Sequence, residues 1–157
     1  MDVLDLYRRY AAGERDFSGA DLSDIKLNIA KVRKYDSAMN NLSNINLSGA
    51  NLTRADMRYV NFSGANLSYA NLEIAILTSA NLTNADLSNA NLYCTDLDGA
   101  KLINANLRGA KLVSVRIHGV DLTGADLRSA DFTGGGGMIT FCNTIMPDGT
   151  VRTEYID

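Results

Sequence analysis

A repeat with a period of five residues runs through most of this 157-residue chain and constrains its fold more than any other feature. Every fifth residue from Phe17 to Phe132 gives 24 positions, of which 17 are Leu and three are Phe. The exceptions are Val32, Ser37, Met57 and Ile117. Ala stands two residues earlier in 15 units, and Asn or Asp stands one residue earlier in 18 units. Each unit therefore reads Ala-(Asn/Asp)-Leu-(Ser/Thr)-Xaa.

This period fits neither an amphipathic helix nor a half-buried strand, whose apolar residues recur every 3.6 and every two residues. Within one unit, Ala and Leu would point inward on either side of one outward polar residue. The remaining two positions suit a turn, and Gly occupies the last of them in 8 of the 24 units. Because corners of constant hand wind a chain into a solenoid, the repeat predicts an all-β solenoid.

The unbroken Ala-(Asn/Asp)-Leu run, as in residues 80–89, closely resembles the pentapeptide repeat family and covers about residues 15–134. The resemblance implies a right-handed quadrilateral β-helix in which four units form one square coil. The 24 units would then make about six coils, and residues 20 apart would stack. One inner column would contain Leu27, Leu47, Leu67, Leu87, Leu107 and Leu127. A second column would contain Phe17, Ser37, Met57, Leu77, Leu97 and Ile117.

The register has one visible fault, where Tyr35 occupies an Ala position and Ser37 occupies a Leu position. A hydroxyl and a large ring suit the interior poorly. We expect a bulge or an outward excursion here. It is either a tolerated irregularity or a protruding binding loop, and Arg33 and Lys34 would make such a loop basic.

The repeat divides the chain into three predicted segments, residues 1–14, 15–134 and 135–157. Residues 3–12 are predicted to form an N-terminal capping α-helix with Asp2 as its N-cap. An open solenoid end needs such a cover. We expect the helix to lie over the N-terminal mouth.

The C-terminal segment follows four glycines, which predict a hinge. Two β-rich runs, 138–145 and 150–155, then flank Met-Pro-Asp-Gly, a turn sequence, and predict a hairpin-like tail. This tail would either cap the last coil or pair with another chain. A similar tail is familiar in cyanobacterial-type pentapeptide repeat proteins, so the resemblance includes that group.

The sequence contains no constellation typical of catalysis, and we expect no enzyme, cofactor or metal site. The single histidine, His118, follows an inward position and is predicted to lie on the surface. Cys94 and Cys142 lack the spacing of a zinc site or a disulfide framework. With neither a signal peptide nor an apolar run of membrane-spanning length, the chain is expected in the reducing cytoplasm.

Apolar residues at outward positions are the informative ones, because the other outward residues are polar. Five of them would surround one edge of the solenoid and form a candidate protein-interaction patch: Ile74, Ile76, Tyr93, Cys94 and Val113. A scatter of surface hydrophobes without a role is the alternative. Tyr59 and Tyr69 are predicted to lie on other corners.

The leading interpretation is a non-enzymatic adaptor or regulator that binds an unknown protein partner with its rigid faces. We expect no binding to nucleic acid or membranes, and either a monomer or a homodimer through an end or the tail. The family also includes DNA mimics that bind DNA gyrase and confer fluoroquinolone resistance. That role needs a strongly anionic rod, whereas residues 15–134 contain 12 acidic and 12 basic side chains.

Overall fold

The computed structural model describes residues 1–27, 40–133 and 137–156, and regular secondary structure in these ranges is sparse. One helix, α1 (Val3–Ala11), precedes five two-residue strands. The strands are β1 (Val120–Asp121), β2 (Ile139–Thr140), β3 (Thr144–Ile145), β4 (Val151–Arg152) and β5 (Tyr155–Ile156). The described ranges contain no helix with the length and apolar character of a membrane span.

Parallel bridges between residues 20 apart hold most of the chain together, so four five-residue units make one turn. The bridging residues form four columns, which define four faces. The first face carries Asp16, Asn46, Asn66, Asp86, Asn106 and Asp126. The second carries Asp21, Asn51, Asn71, Asn91, Lys111 and Asp131. The third carries Lys26, Asp56, Ile76, Asp96 and Arg116, and the fourth carries Asn41, Asn61, Asn81, Lys101 and Asp121.

The Leu and Ala positions fill the interior, as the repeat predicts. Every repeat Leu in the described ranges is buried, and burial of each side chain contributes about 1.5–3 kcal/mol. Thr95 replaces Ala at one of these positions and is fully buried. Its hydroxyl donates a hydrogen bond of 2.8 Å to the Leu72 carbonyl oxygen, so the buried polar group is satisfied.

The polar positions of the repeat build the walls and the corners. Asn61 shows both uses of the amide: its Oδ1 accepts from the Ser63 backbone N–H at 3.1 Å, and its Nδ2 donates to Asn41 Oδ1 at 3.0 Å. In the described units, the last residue turns the corner with a positive φ, such as 68° at Gly64 and 58° at Asn84. Gly and Asn adopt this conformation most readily, which explains their frequency there.

The first turn departs from the predicted register. Asp16 pairs with Asn46 and Lys26 pairs with Asp56, so this turn takes 30 residues instead of 20. Leu27 therefore does not stack on Leu47, and its N–H donates to the Asp56 carbonyl oxygen at 2.8 Å. The predicted Leu27–Leu47 column was wrong, because 30 and 20 are both multiples of five and the sequence pattern cannot distinguish them.

Phe17 also belongs to a different column from the one predicted. Its N–H donates to the Asn46 carbonyl oxygen at 2.8 Å, which places it next to Leu47 rather than in the column of Met57. The expected bulge at Arg33, Lys34, Tyr35 and Ser37 lies outside the described residues. The same holds for most of the predicted glycine hinge.

The helix α1 lies against the first turn. The Asp2 carboxylate accepts a hydrogen bond of 2.8 Å from the Asp5 N–H, so Asp2 is the N-cap as predicted. Leu6 is fully buried. The hydroxyls of Tyr7 and Tyr10 donate to the backbone carbonyls of Leu27 and Ser43 at 3.0 and 2.8 Å. These carbonyls belong to the first turn, so the two tyrosines join the helix to it.

The tail continues the solenoid for two units that lack the repeat sequence. Ile139 and Phe141 of one unit, and Thr144 and Met146 of the next, are buried at the positions of Ala and Leu. The offset is here 19 residues: β1 pairs in parallel with β2, and Asp126 pairs with Ile145.

The end of the chain then folds back onto these two units. The strand β4 pairs antiparallel with β3, as the predicted hairpin requires, and β5 pairs antiparallel with β2. These pairings cover the outer edges of the first and fourth faces.

Candidate functional site

The five residues of the predicted interaction patch lie at the corner between the second and third faces. The Ile74 N–H donates to the Tyr93 carbonyl oxygen at 3.0 Å, and the Cys94 N–H donates to the Val113 carbonyl oxygen at 3.0 Å. These bonds place the residues on three successive turns. Ile76 follows Ile74 on the third face. We call the group Ile74, Ile76, Tyr93, Cys94 and Val113 the corner patch.

The corner patch presents its apolar side chains unevenly to solvent. Ile74 is 49% exposed and Tyr93 is 44% exposed. Cys94 is also exposed, whereas Ile76 and Val113 are half-buried. The patch is thus a ridge formed by Ile74, Tyr93 and Cys94 with apolar side chains on both flanks.

Ile74 occupies a corner position that disfavours its side chain. Its φ is 59°. Among the described non-glycine residues with positive φ, it is the only one with a β-branched side chain. A left-handed conformation costs an L-residue about 1–2 kcal/mol, and β-branched residues tolerate it least. The chain thus holds an exposed aliphatic side chain where Gly, Asn or Ser would fit with less strain.

Ile76 interrupts the polar wall of the third face. It bridges Asp56 on one side and Asp96 on the other. At the equivalent position of the second face, Asn71 Oδ1 accepts from the Glu73 backbone N–H at 3.2 Å. An isoleucine side chain has no acceptor for the corresponding bond, so this substitution forgoes a local hydrogen bond and adds apolar surface.

Ion pairs flank the corner patch on the third face. Arg58 binds the Asp56 carboxylate at 2.6 Å on the preceding turn. Arg116 binds Asp96 at 3.1 Å and Asp98 at 2.5 Å on the following turns. Apolar centres with charged margins are the common anatomy of protein–protein interfaces.

Tyr93 and Cys94 are consecutive residues of the patch. Interaction with the Cys94 thiol is the main cause that raises the pKa of the Tyr93 hydroxyl, and desolvation and the Glu73 carboxylate add to it. Sequence reasoning missed Glu73, although a carboxylate at a position where the repeat prefers Ser or Thr was a visible signal.

The histidine, the two cysteines and the two corner tyrosines that the sequence singled out are all exposed. His118 is exposed as predicted, and its backbone N–H donates to Asp98 Oδ1 at 2.9 Å. Within the described ranges, no group of His, Cys, Asp and Glu could hold a metal ion. Cys94 and Cys142 are both exposed free thiols. Tyr59 and Tyr69 lie on two other corners and are 58% and 69% exposed.

Comparisons with solved structures found proteins of the same repeat class. The chain is 29% identical to a pentapeptide repeat protein of the cyanobacterium Cyanothece 51142, covering 91% of this chain and 97% of that one, with a TM-score of 0.50. A pentapeptide repeat protein of Nostoc PCC 7120 is 32% identical over 86% of both chains, with a TM-score of 0.31. The plasmid-mediated fluoroquinolone resistance protein QnrB1 is 20% identical over 90% of this chain and 76% of its own, with a TM-score of 0.44.

No curated protein sequence matched the chain. The family model for pentapeptide repeats matched with eight copies, over residues 41–73, 56–92, 65–102 and 95–134. Together these matches span more than half of the chain. Proteins of this class have the right-handed quadrilateral β-helix, in agreement with the four bridge columns described above. The chain belongs to the pentapeptide repeat family.

Proposed function

We propose that this protein is a non-enzymatic adaptor or regulator that binds a partner protein through the corner patch. The protein works without cofactor or metal, binds neither nucleic acid nor membranes, and acts in the cytoplasm. It is a monomer, or a homodimer through an end or the tail. The single observation that carries the proposal is Ile74, an exposed β-branched residue kept at a left-handed corner.

Unfavourable backbone geometry tends to persist where function requires it. Ile74 and Ile76 each give up local stability, and together they add apolar surface to one corner. Large exposed apolar patches mark interaction sites in soluble proteins. Ile74 and Ile76, the two residues that depart from the repeat, lie on the same turn. Surface hydrophobic residues scattered at random would not be expected to cluster in this way.

The solenoid supplies a rigid frame for this surface. We propose about six coils in residues 15–134, with residues 1–14 closing one end and residues 135–157 closing the other. Backbone hydrogen bonds between turns fix every face of the solenoid, so binding orders few additional groups. Such a preorganised surface loses little conformational entropy when a partner binds. A second candidate for partner binding is the basic segment that contains Arg33, Lys34, Tyr35 and Ser37, which lies outside the described residues.

Mimicry of DNA is the rival function, in which the protein would bind and protect DNA gyrase. The likeness to QnrB1 supports only a common fold. The equal numbers of acidic and basic residues in the repeat region argue against an anionic surface that attracts a DNA-binding enzyme. Addition of the protein to a gyrase supercoiling assay discriminates the two, since an adaptor of this type leaves supercoiling unchanged.

Affinity capture with matched variants tests the adaptor proposal. The bait is the full chain, compared with the double variant Ile76→Lys/Tyr93→Ser. Tyr69→Ser serves as control, because it removes an even more exposed tyrosine from another corner. We expect one stoichiometric protein that binds the wild type and the control but not the double variant. Equal recovery by all three folded baits refutes the corner patch as the binding site.

A further inference from the structure

Glu73 lies beside the corner patch, and its carboxylate has no ion-pair partner in the part of the chain that the structure describes. It occupies the same column as Tyr93, one turn earlier, because the Ile74 N–H that follows it donates to the Tyr93 carbonyl oxygen. Successive turns are about 4.8 Å apart in such ladders. The carboxylate and the ring are therefore neighbours on one half-exposed strip of the second face.

Other carboxylates in the described ranges contrast with Glu73. Asp24, Asp56, Asp96, Asp98 and Asp126 form ion pairs with arginines. Asp16, Asp21, Asp86 and Asp148 accept hydrogen bonds from side chains or backbone N–H groups. Among the described residues, the Glu73 side chain has no ion-pair or hydrogen-bond partner, and its carboxylate contributes to the raised pKa of the Tyr93 hydroxyl.

The basic residues on the turns next to Glu73 form no ion pair with its carboxylate among the described contacts. Arg54 lies at the corner of the preceding turn, but its guanidinium is directed to Asp24, with two contacts of 2.7 Å. Lys111 lies on the second face two turns later and forms no ion pair with Glu73. The strip thus combines an unpaired carboxylate, an exposed phenol ring and aliphatic neighbours.

We propose that Glu73 and Tyr93 together bind an arginine or lysine side chain of the partner polypeptide. The aliphatic residues of the corner patch then contact apolar residues of the partner that flank this basic side chain. This inference rests on the proposed function and specifies the chemistry of the partner. A cation gains from the carboxylate by charge and from the ring face by cation–π attraction. Its aliphatic stem packs on apolar surface while its charge remains hydrated.

Titration with a small peptide tests this recognition directly. The probe is acetyl-leucyl-arginyl-leucinamide, and the matched neutral probe carries citrulline in place of arginine. Amide shifts of the ¹⁵N-labelled full chain report where each peptide binds. We expect the arginine peptide to shift the amides of residues 73–76, 93 and 94, and the citrulline peptide to bind more weakly.

Variants separate the two parts of the site. Glu73→Gln is expected to weaken binding of the arginine peptide roughly two- to fivefold, the range of one exposed ion pair. Tyr93→Leu keeps apolar area but removes the ring, and it is expected to weaken binding by a similar factor, about two- to fivefold. Glu154→Gln is the control, because it removes an exposed carboxylate in the tail. Thermal unfolding of each variant verifies the fold.

Four results would overturn the inference. Equal affinity for the arginine and citrulline peptides would show that a positive charge is not recognised. Amide shifts confined to another face would show that the peptide does not bind at Glu73 and Tyr93. Shifts of the patch amides on dilution without peptide show that a second copy of the chain occupies the surface. A captured partner that is lost by Ile76→Lys/Tyr93→Ser but binds Glu73→Gln with the same Kd as the wild type leaves the proposed function standing and refutes the cation alone.

Discussion

Replacement of Leu87 by Ala tests whether the interior behaves as a column that cannot collapse. Leu87 is fully buried on the first face between Leu67 and Leu107. Its N–H donates to the Asn106 carbonyl oxygen at 2.8 Å, and the Leu67 N–H donates to the Asp86 carbonyl oxygen at 2.7 Å. These bonds hold the backbone on both sides of the cavity that the substitution creates.

Because relaxation is restricted, we expect Leu87→Ala to lower the free energy of unfolding by about 3–5 kcal/mol, the upper part of the range for buried Leu. Leu87→Met keeps most of the volume and is expected to cost less than about 1.5 kcal/mol. Urea denaturation followed by circular dichroism measures both. A loss below about 1 kcal/mol for Leu87→Ala would show that neighbouring turns close the cavity, contrary to this reasoning.

Three further predictions concern the ends and a corner. Burial raises the pKa of the Tyr7 hydroxyl, so the folded state keeps its proton above about pH 10, where the unfolded tyrosine loses it. The stability it contributes is full below that pH and falls above it, and Tyr7→Phe should flatten the decline in urea titrations at alkaline pH. Deletion of residues 150–157 removes the strands that pair with β2 and β3 and exposes the edges of these two strands. Light scattering should then detect association of the truncated chain that increases with concentration. A truncated chain that stays monomeric contradicts this prediction. Gly109→Ala brings its Cβ to 2.6 Å from Asn89 Oδ1, whereas Gly119→Ala finds no atom closer than 3.8 Å. Both have φ near 70°, so Gly109→Ala should be the less stable by about 1 kcal/mol in thermal unfolding, and equal stabilities would show that Asn89 moves aside without cost.

Much of the candidate site was predictable from the repeat register. Once Asn or Asp is known to face outward, Ile76 stands out without a structure, and so do Tyr93 and Val113. The placement of Tyr93 and Val113 on successive turns also followed from a stacking interval of 20 residues, which holds in this part of the solenoid. The left-handed backbone of Ile74 did not follow from its own residue type, since isoleucine rarely adopts it.

The tail illustrates a different limit. Ile139, Phe141, Thr144 and Met146 occupy inward positions of the solenoid, although their segment lacks the Ala-(Asn/Asp)-Leu pattern. The sequence predicted the antiparallel turn there, because Pro-Asp-Gly acts locally. Parallel pairing with the preceding turn depends on residues 19 apart, and no local signal specifies it.

The sequence by itself determined the unit: which residues face inward, where the chain turns, and that many units wind into a solenoid. Those properties follow from side-chain polarity and turn preference within five residues. The tertiary structure alone decided how residues are shared among turns, with 30 in the first, 20 in the following turns and 19 where the tail joins. It also decided which charges are paired, and among the described residues it gives Glu73, beside Tyr93, no ion-pair partner. Both depend on contacts between turns, and a strictly periodic sequence offers the same residues at every candidate register.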